Sequence, residues 1–438
     1  MTDLGDLQIS QLGEPRFDSP LADFLGERQT NGHYVSEGDR VVLDDTISQL
    51  AALGGDPTGW PSFEAGGPRR RLFFEPGATT VGIVTCGGLC PGLNDVIRAI
   101  VMELALHYGI PETTGFRNGY LGITPHGPAP VTLTPQSVDH INQHGGTILG
   151  TSRGAQDAGV MVDRLVELGI DVLFVIGGDG SMHGASMLVR EITRRGLEIG
   201  VVGVPKTIDN DIPFIGQSFG FATAFGQAAK VISVAMVEAR SAVGGVGLVK
   251  LMGRHSGFIA CYAALANHDA DFVLIPEVPF SLEGEHGLLA SLHRRVQDRG
   301  SAVVVVAEGA GQHLMDASDD TDASGNVRLR DVGGLLREQV TRHFAAMGSP
   351  LTLKYLEPSY SIRSVRADPH DAVYCLRLAQ AAVHAGMAGR TDMVVGRRHN
   401  RTVHVPISLA TSGLHQVAPD GDLWMSVLEQ TAQPVDMR

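Results

Sequence analysis

The sequence predicts an α/β protein built on mostly parallel, doubly wound sheet. Three observations carry that reading. First, short unbroken apolar runs recur along the chain, each bounded by turn residues: Val81-Gly82-Ile83-Val84-Thr85, Val172-Leu173-Phe174-Val175-Ile176, Ile199 to Val204, Val246 to Leu251, Phe272 to Ile275 and Val303 to Ala307. Runs of Val, Ile and Leu without polar alternation mark strands covered on both faces, as in parallel sheets. Second, these runs alternate with stretches of helical length, such as Leu93 to Tyr108, and the alternation gives strand–helix–strand units. Third, glycine is abundant, 55 of 438 residues, while aromatics make up only 5%. That balance suits many tight turns between strands and helices.

The elements follow in order. Residues 1–76 are polar, rich in Gly and Pro and weakly periodic, and read as an N-terminal extension with one short strand at Arg40-Val41-Val42-Leu43. Regular pattern begins near residue 77. The first strand runs through 81–85 and feeds a glycine-rich turn and the helix 93–108; the second, 172–176, again ends in glycines before a helix. No short internal repeat or low-complexity tract interrupts the series.

Composition excludes several classes. Lys plus Arg total 34 and Asp plus Glu 48, a net charge of −14. An acidic chain without a basic run is a poor partner for nucleic acid or an anionic membrane, although a few local cations and backbone N–H groups suffice for phosphate. Cys86, Cys90, Cys261 and Cys375 are few and scattered, which argues against a disulfide framework and fits a reducing cytoplasm. No His or Cys cluster completes a zinc site around Cys86 and Cys90. The first residues lack a basic and an apolar region of secretory type. No apolar run approaches the roughly 20 residues of a membrane span.

In open α/β sheets ligands bind at the carboxyl ends of strands, and the polar clusters of this chain follow strands. Thr85-Cys86-Gly87-Gly88-Leu89-Cys90-Pro91-Gly92-Leu93-Asn94 pairs glycines, which let backbone N–H groups approach an anion, with the positive end of a helix. Gly177-Gly178-Asp179-Gly180-Ser181 sets a carboxylate between glycines, where it can reach Mg²⁺ held by polyphosphate oxygens. Pro205-Lys206-Thr207-Ile208-Asp209-Asn210-Asp211 places two carboxylates beside Lys and Thr: one can accept the proton of an attacking hydroxyl. Lys250-Leu251-Met252-Gly253-Arg254-His255-Ser256-Gly257 offers Arg254 to a sugar phosphate; His255 reads as structural or exposed. Glu308 follows the 303–307 strand and can bond sugar hydroxyls. Lys354, Tyr360, Arg363 and Arg366 gather phosphate-binding potential in an otherwise acidic chain. Each cluster also has an ordinary reading as a turn, a helix cap or a solvated loop; their number and order make that insufficient for all.

GGDGS, PKTIDND, MGRHSG, the Glu of VAEG and YSIR stand in the order found in the 6-phosphofructokinase family, and the resemblance covers about residues 75–405. TCGGLCPGLNDVIR, with EGDRVVL and RRRLFFEP before it, is similar to the branch that includes plant and trypanosomatid ATP-dependent enzymes. The resemblance implies two Rossmann-like three-layer α/β lobes with the active site in the cleft between them. It divides the chain into the extension 1–76, an ATP-binding lobe 77–215, a fructose 6-phosphate-binding lobe 216–362, and a return segment and tail 363–438. It implies Asp209 as the catalytic base toward the sugar's 1-hydroxyl and Asp179 as the Mg²⁺-associated carboxylate. Gly88, Arg153, Gly154, Gly178, Asp179, Gly180 and Ser181 fall at nucleotide-phosphate positions, with Tyr120 near the base. Thr207, Ile208, Asp209, Met252, Gly253, Arg254, Glu308, Tyr360, Ser361, Ile362 and Arg363 fall at fructose 6-phosphate positions. Lys354 stands where bacterial enzymes have a phosphate-binding Arg from a neighbouring subunit. A homotetramer or homodimer in the cytoplasm is what the family implies, with ATP, Mg²⁺ and fructose 6-phosphate as its ligands and neither nucleic acid nor membrane as partner.

Two departures from the bacterial pattern matter, Lys206 for the phosphoryl donor and the missing Arg near Gly245 for the bacterial scheme of shared substrate sites. Lys206 replaces the Gly of the familiar bacterial ATP enzymes and is typical of pyrophosphate users. Those users carry Asp at the position of Gly180, where a carboxylate would obstruct and repel the ATP α-phosphate. Gly180 with Lys206 is the combination of the ATP-using branch, so ATP is the expected donor and pyrophosphate the alternative. Bacterial enzymes also have an Arg near Gly245, absent here. A silent nucleotide-binding regulator is the reading from another class; Asp179, Asp209 and Arg254 argue against it.

Overall fold

The computed structural model describes residues 7–22, 34–316, 320–321 and 327–437. It is a mixed α/β structure, and its chain divides into two compact units. The first comprises Met1–Thr207, Ile212–Gly220 and Val365–Gly413; the second comprises Ile208–Asp211, Phe221–Ser364 and Leu414–Arg438.

The first unit is organised on a nine-stranded sheet. Its centre is five parallel strands in the spatial order Met393–Arg398, Gly200–Pro205, Val172–Gly177, Val81–Thr85 and Thr113–Phe116. The strands Val81–Thr85, Val172–Gly177 and Gly200–Pro205 are buried at every residue, as their unbroken apolar sequence requires. Antiparallel strands flank this centre. Val131–Leu133 pairs with Thr113–Phe116 at one end. At the other, Arg401–Pro406 pairs with Met393–Arg398 through a two-residue turn in which His399 and Asn400 have φ of 47° and 60°, the left-handed geometry that hairpin turns need.

The extension completes this sheet. Ser62–Ala65 pairs with Arg401–Pro406, and Arg40–Val42 pairs with Ser62–Ala65 as the last strand. Glu64 lies in the middle of the added pair and is almost wholly buried. Its carboxylate accepts bonds from Arg69 Nη2 at 2.9 Å and Arg390 Nε at 2.9 Å, and lies 3.0 Å from His404 Nδ1. Burial alone would raise this carboxyl, but the bonds to His404 and Arg390 outweigh it and hold the group at about 2. Such short strands leave little periodicity to read, which is why the sequence showed only the strand expected at 40–43, observed at Arg40–Val42.

The second unit has a four-stranded, wholly parallel sheet in the order Phe272–Leu274, Ser301–Ala307, Gly245–Leu251 and Thr352–Leu356. Helices Phe221–Arg240, Phe258–Asn267, Leu288–Arg299 and Val332–Ala346 belong to this unit. The last residues, 414–437, also pack here: Gln433 Oε1 accepts from Val273 N at 2.7 Å and its Nε2 donates back to Val273 O at 3.2 Å, closing the edge of the sheet. The four cysteines are buried, and none forms a disulfide among the described residues. No helix among the described residues is long and apolar enough to cross a membrane.

Candidate active site

In the first unit, loops at the carboxyl ends of three parallel strands are laced together. Thr85, the last residue of Val81–Thr85, donates its hydroxyl to Gly150 O at 2.8 Å. The hydroxyl of Thr151 donates to Gly87 O. Lys206, directly after the strand Gly200–Pro205, is buried, and its Nζ donates to Gly88 O at 2.7 Å. Gly87 therefore faces the Lys206 ammonium: a Cβ there would lie 3.5 Å from Nζ and 3.8 Å from Ser181 Oγ. An ammonium has three N–H groups, and one of them fixes the Gly87–Gly88 turn.

The strand Val172–Gly177 feeds, through Gly178, the helix Asp179–Arg194. Asp179 is its first residue, with a side chain 60% exposed and 3.4 Å from His183 Nδ1. A carboxylate and open backbone at a helix start suit a cation-carrying polyphosphate. Gly180 adjoins open space, with no atom within 4 Å of a Cβ built there. Tyr120 lies beneath this helix: it is buried, its hydroxyl donates to Ser181 O, and its ring leaves no room for a side chain at Gly184. The structure thus gives Tyr120 a supporting contact to the loop. Arg153 and Gly154 are exposed, on the segment that follows Thr151.

The second unit holds the other residues. Ile208–Asp211 is tied down by neighbours in that unit: Ser256 Oγ donates to Asp209 O at 2.8 Å, His415 Nδ1 lies 3.0 Å from Asn210 O, and His415 N donates to Asp211 O at 2.8 Å. The Ile208 side chain is buried. After the strand Gly245–Leu251, Gly253 adopts φ 126°, and a Cβ there would meet Ser256 O at 2.6 Å; only glycine fits. That turn sets Met252 and Arg254. The neighbouring strand, Ser301–Ala307, delivers Glu308, whose N donates to Leu251 O at 2.9 Å.

Arg254, Glu308 and Arg363 form the charged centre of this unit. Burial raises the Glu308 carboxyl above its ordinary value, while Lys250, Arg254 and Arg363 pull it back. Lys250 is already paired, with Glu357 at 2.9 Å and Asp331 at 3.1 Å. The Nε atoms of Arg254 and Arg363 are buried and meet no acceptor among the described residues. Arg363 stacks its guanidinium 4.8 Å from the Tyr360 ring, and Tyr360 itself is exposed. Ser361 bonds its hydroxyl to Pro358 O at 2.7 Å, and Ile362 is fully buried, anchoring the short helix Ser359–Arg363. Lys354 is turned to Glu238, 3.5 Å away. Thr207 belongs to the first unit, where its carbonyl accepts from Ser218 Oγ at 2.6 Å.

Sequence reasoning missed three supporting residues. Glu277 Oε1 accepts from Gly257 N and Val417 N, both at 2.9 Å, and so orders the turn behind Arg254. Ser256 and His415 hold the Asp209 segment. Ser256 lay inside a recognised motif; a separation of 205 positions between His415 and Asn210 carries no local signal.

Comparison with known proteins places this arrangement. A sequence profile described as Phosphofructokinase matches residues 80–386. An ATP-dependent 6-phosphofructokinase of Amycolatopsis methanolica is 57% identical over 440 residues, covering 99% of this chain and 96% of its own. One of Trypanosoma brucei brucei is 46% identical over 372 residues, 84% of this chain and 76% of its own, and one of Arabidopsis thaliana, number 7, is 43% identical over 96% and 86%. Among solved structures, a pyrophosphate-dependent phosphofructokinase of Marinobacter aquaeolei matches with a TM-score of 0.66 at 20% identity, covering 82% of this chain and 92% of its own. At that identity the likeness speaks to the fold alone.

Proposed function

The chain belongs to the phosphofructokinase family, and from that membership we propose how its residues divide the work of the reaction. The enzyme transfers the γ-phosphoryl group of ATP to the 1-hydroxyl of fructose 6-phosphate, giving fructose 1,6-bisphosphate and ADP. One observation carries the assignment of the sugar phosphate: two buried guanidinium nitrogens, Nε of Arg254 and of Arg363, lack an acceptor among the described residues beside the half-buried carboxyl of Glu308. A buried donor without an acceptor is costly, and a phosphate oxygen satisfies it with a charge-assisted bond. Glu308 then takes the sugar hydroxyls.

Asp209 accepts the proton of the 1-hydroxyl as the oxygen attacks the γ-phosphorus. Ser256 and His415 fix its backbone, so the base is oriented before substrate arrives. The Gly87–Gly88 turn, the start of the helix Asp179–Arg194, and Arg153 take the nucleotide phosphates. Lys206 sets a positive charge beside that turn and neutralises charge on the donor. Mg²⁺ fits Asp179, a solvent-facing carboxylate between glycines, because this cation commonly takes one or two carboxylates and completes its shell with phosphate oxygens and water. When bound it would neutralise charge on the β- and γ-phosphates.

Lys206 favours a second reading, in which pyrophosphate is the donor; the open space at Gly180 favours ATP. Assay of the purified protein with fructose 6-phosphate and either ATP or pyrophosphate tests this directly. A kcat/KM higher with pyrophosphate would overturn the donor assignment, and no turnover with either would overturn the reaction. We propose a homotetramer or homodimer working in the cytoplasm, the assembly to be read by light scattering.

A further inference from the structure

The first unit carries a basic hollow that the reaction leaves unused. It is a cavity of about 820 Å³ walled by Gly216 and Gln217, by the first turns of the 19-residue helix Pro369–Met387, and by the hairpin turn after Met393–Arg398. Three arginines and two histidines border it, in a chain whose net charge is −14. Two of the five are committed elsewhere: Arg398 donates to Leu43 O, and His399 lies 3.1 Å from Asp45. The two remaining arginines behave differently. Arg377 is exposed and makes no hydrogen bond or ion pair among the described residues. Arg397 spends one donor on Asn400 O at 2.7 Å, and burial and the charge of Arg377 hold it below its ordinary value. No carboxylate among the described residues forms an ion pair with either. His370 stands in the first turn of the helix, whose start is capped by the Asp368 carboxylate and also carries Asp371, so the anion's hold rests on the two guanidinium groups and not on the helix end.

Two guanidinium groups that share a hollow whose lining holds no carboxylate favour a dianion between them. The space lies within the roughly 300–1,000 Å³ of small-molecule sites, so a bare phosphate ion leaves room. Val373, apolar and 59% exposed, lines the same wall and suits an organic moiety.

The hollow is also wired to the substrate loop. Gly216 N donates to Arg397 O at 3.0 Å. The Tyr374 hydroxyl donates to Gln217 O. The next residue, Ser218, donates to Thr207 O at 2.6 Å, two positions before Asp209. We infer that this hollow is a regulatory site for a small organic phosphomonoester, its phosphate held between Arg377 and Arg397, its occupancy acting on the Thr207–Asp209 segment through Gly216–Ser218.

The test uses the full chain saturated with fructose 1,6-bisphosphate and MgADP, so that the product-binding residues are filled, and glycerol 3-phosphate as the probe in equilibrium dialysis. This readout needs no turnover, so it stands apart from the catalytic assignment. We expect one probe site per chain, weakened about tenfold or more by Arg377→Ser with Arg397→Ser and, independently, by the surface change Val373→Glu. Inorganic phosphate should compete, but less tightly than the ester. In assays without probe, kcat of these variants should stay within about twofold of the parent, since no reacting group is touched. With probe, the fructose 6-phosphate concentration at half velocity should shift about fivefold or more in the parent and not in the variants. Equal probe binding by the variants, complete displacement of the probe by the products, tighter binding of inorganic phosphate than of the ester, or binding that leaves the kinetics unmoved would each overturn the inference. So would a change in particle mass on Val373→Glu in a protein that binds no probe, which would make this face a contact between copies.

Discussion

Two clusters of buried charge, one in each unit, solve the same electrostatic problem in opposite ways. Around Glu64 the charges are matched: the carboxylate meets Arg69, Arg390 and His404, and Arg390 reaches Glu37 as well, with His404 Nε2, on a ring rather than a guanidinium, the one buried atom of these side chains left without a partner among the described residues. Around Glu308 they are not: Arg254 and Arg363 keep buried donors without acceptors, and the carboxyl is raised by burial. Desolvating a charge is expensive wherever it happens. The first cluster offsets that expense within the fold and serves stability. The second leaves it to be offset by a ligand and serves binding. The difference teaches where to look for a site in a chain rich in charges: among the buried groups whose partners are missing.

Four changes break or sharpen that contrast. The largest effect is expected at Asp209, which works through the reaction rather than through either balance. Asp209→Asn should lower kcat about 10²–10⁴-fold, the usual loss for a general base, with Tm unchanged. Near-parental turnover in the folded variant would remove Asp209 from the mechanism.

Next comes Glu64→Gln, which leaves Arg69 and Arg390 buried without a full counter-charge and should destabilise the protein by about 3–5 kcal/mol, while KM for both substrates stays put below the melting transition. The pH dependence follows from the sign of the shift. Glu64 is held at about 2, below the roughly 4.3 of a free glutamate, so its contribution is complete above that value and is lost as pH falls toward 2. The gap in denaturant midpoint between parent and variant should therefore be constant from neutral pH to about 5 and close between about 4 and 2. A gap that persists at pH 2 would refute the assignment.

Arg254→Ala is the counterpart in the other cluster. It should cost roughly 10- to 100-fold in kcat/KM for fructose 6-phosphate, the value of a charge-assisted bond, with a smaller change in the ATP constant. Its Tm should move little, because the loss of the Nη2 bond to Val327 O is offset by the loss of a buried donor without an acceptor. A fall in Tm like that of Glu64→Gln would erase the distinction between the clusters.

The smallest effect is expected at Gly180. An aspartate fits there without collision, since a Cβ meets nothing within 4 Å, so Tm should not move. Its charge would oppose the ATP α-phosphate, and the ratio of kcat/KM for ATP to that for pyrophosphate should fall roughly tenfold. An unchanged ratio would mean that donor choice lies elsewhere.

How much of this was legible in the sequence depended on range. Strands such as Val172–Gly177 announced themselves because both faces are buried and every residue is apolar. Met393–Arg398 and Arg401–Pro406 did not, because Arg397, Arg398 and Arg401 sit at their exposed ends and mask the pattern. Loop chemistry was legible where it is local: Gly178 to Ser181, Thr207 to Asp211 and Met252 to Arg254 each lie within a few residues. The bond from Lys206 to Gly88 spans 118 residues, and nothing near Lys206 announces its partner. The same holds for Arg377 and Arg397, which meet only because a helix and a hairpin fold side by side. Ile362 is an intermediate case: its motif was recognised, but only burial shows that the side chain anchors the helix that presents Arg363.

The pairing of Arg40–Val42 and Ser62–Ala65 onto Arg401–Pro406 has a consequence for colloidal behaviour. A sheet edge is a row of unsatisfied backbone groups ready to recruit another chain. Here the middle of the strand Arg401–Pro406 is covered at Val403 and His404, and the outermost position is left to three residues only. Cutting away residues 1–76 would uncover the sheet edge at Thr402, Val403 and His404 and strand Arg390 without Glu64. The shortened protein would be expected to aggregate from its folded state, at concentrations where the full chain stays dispersed.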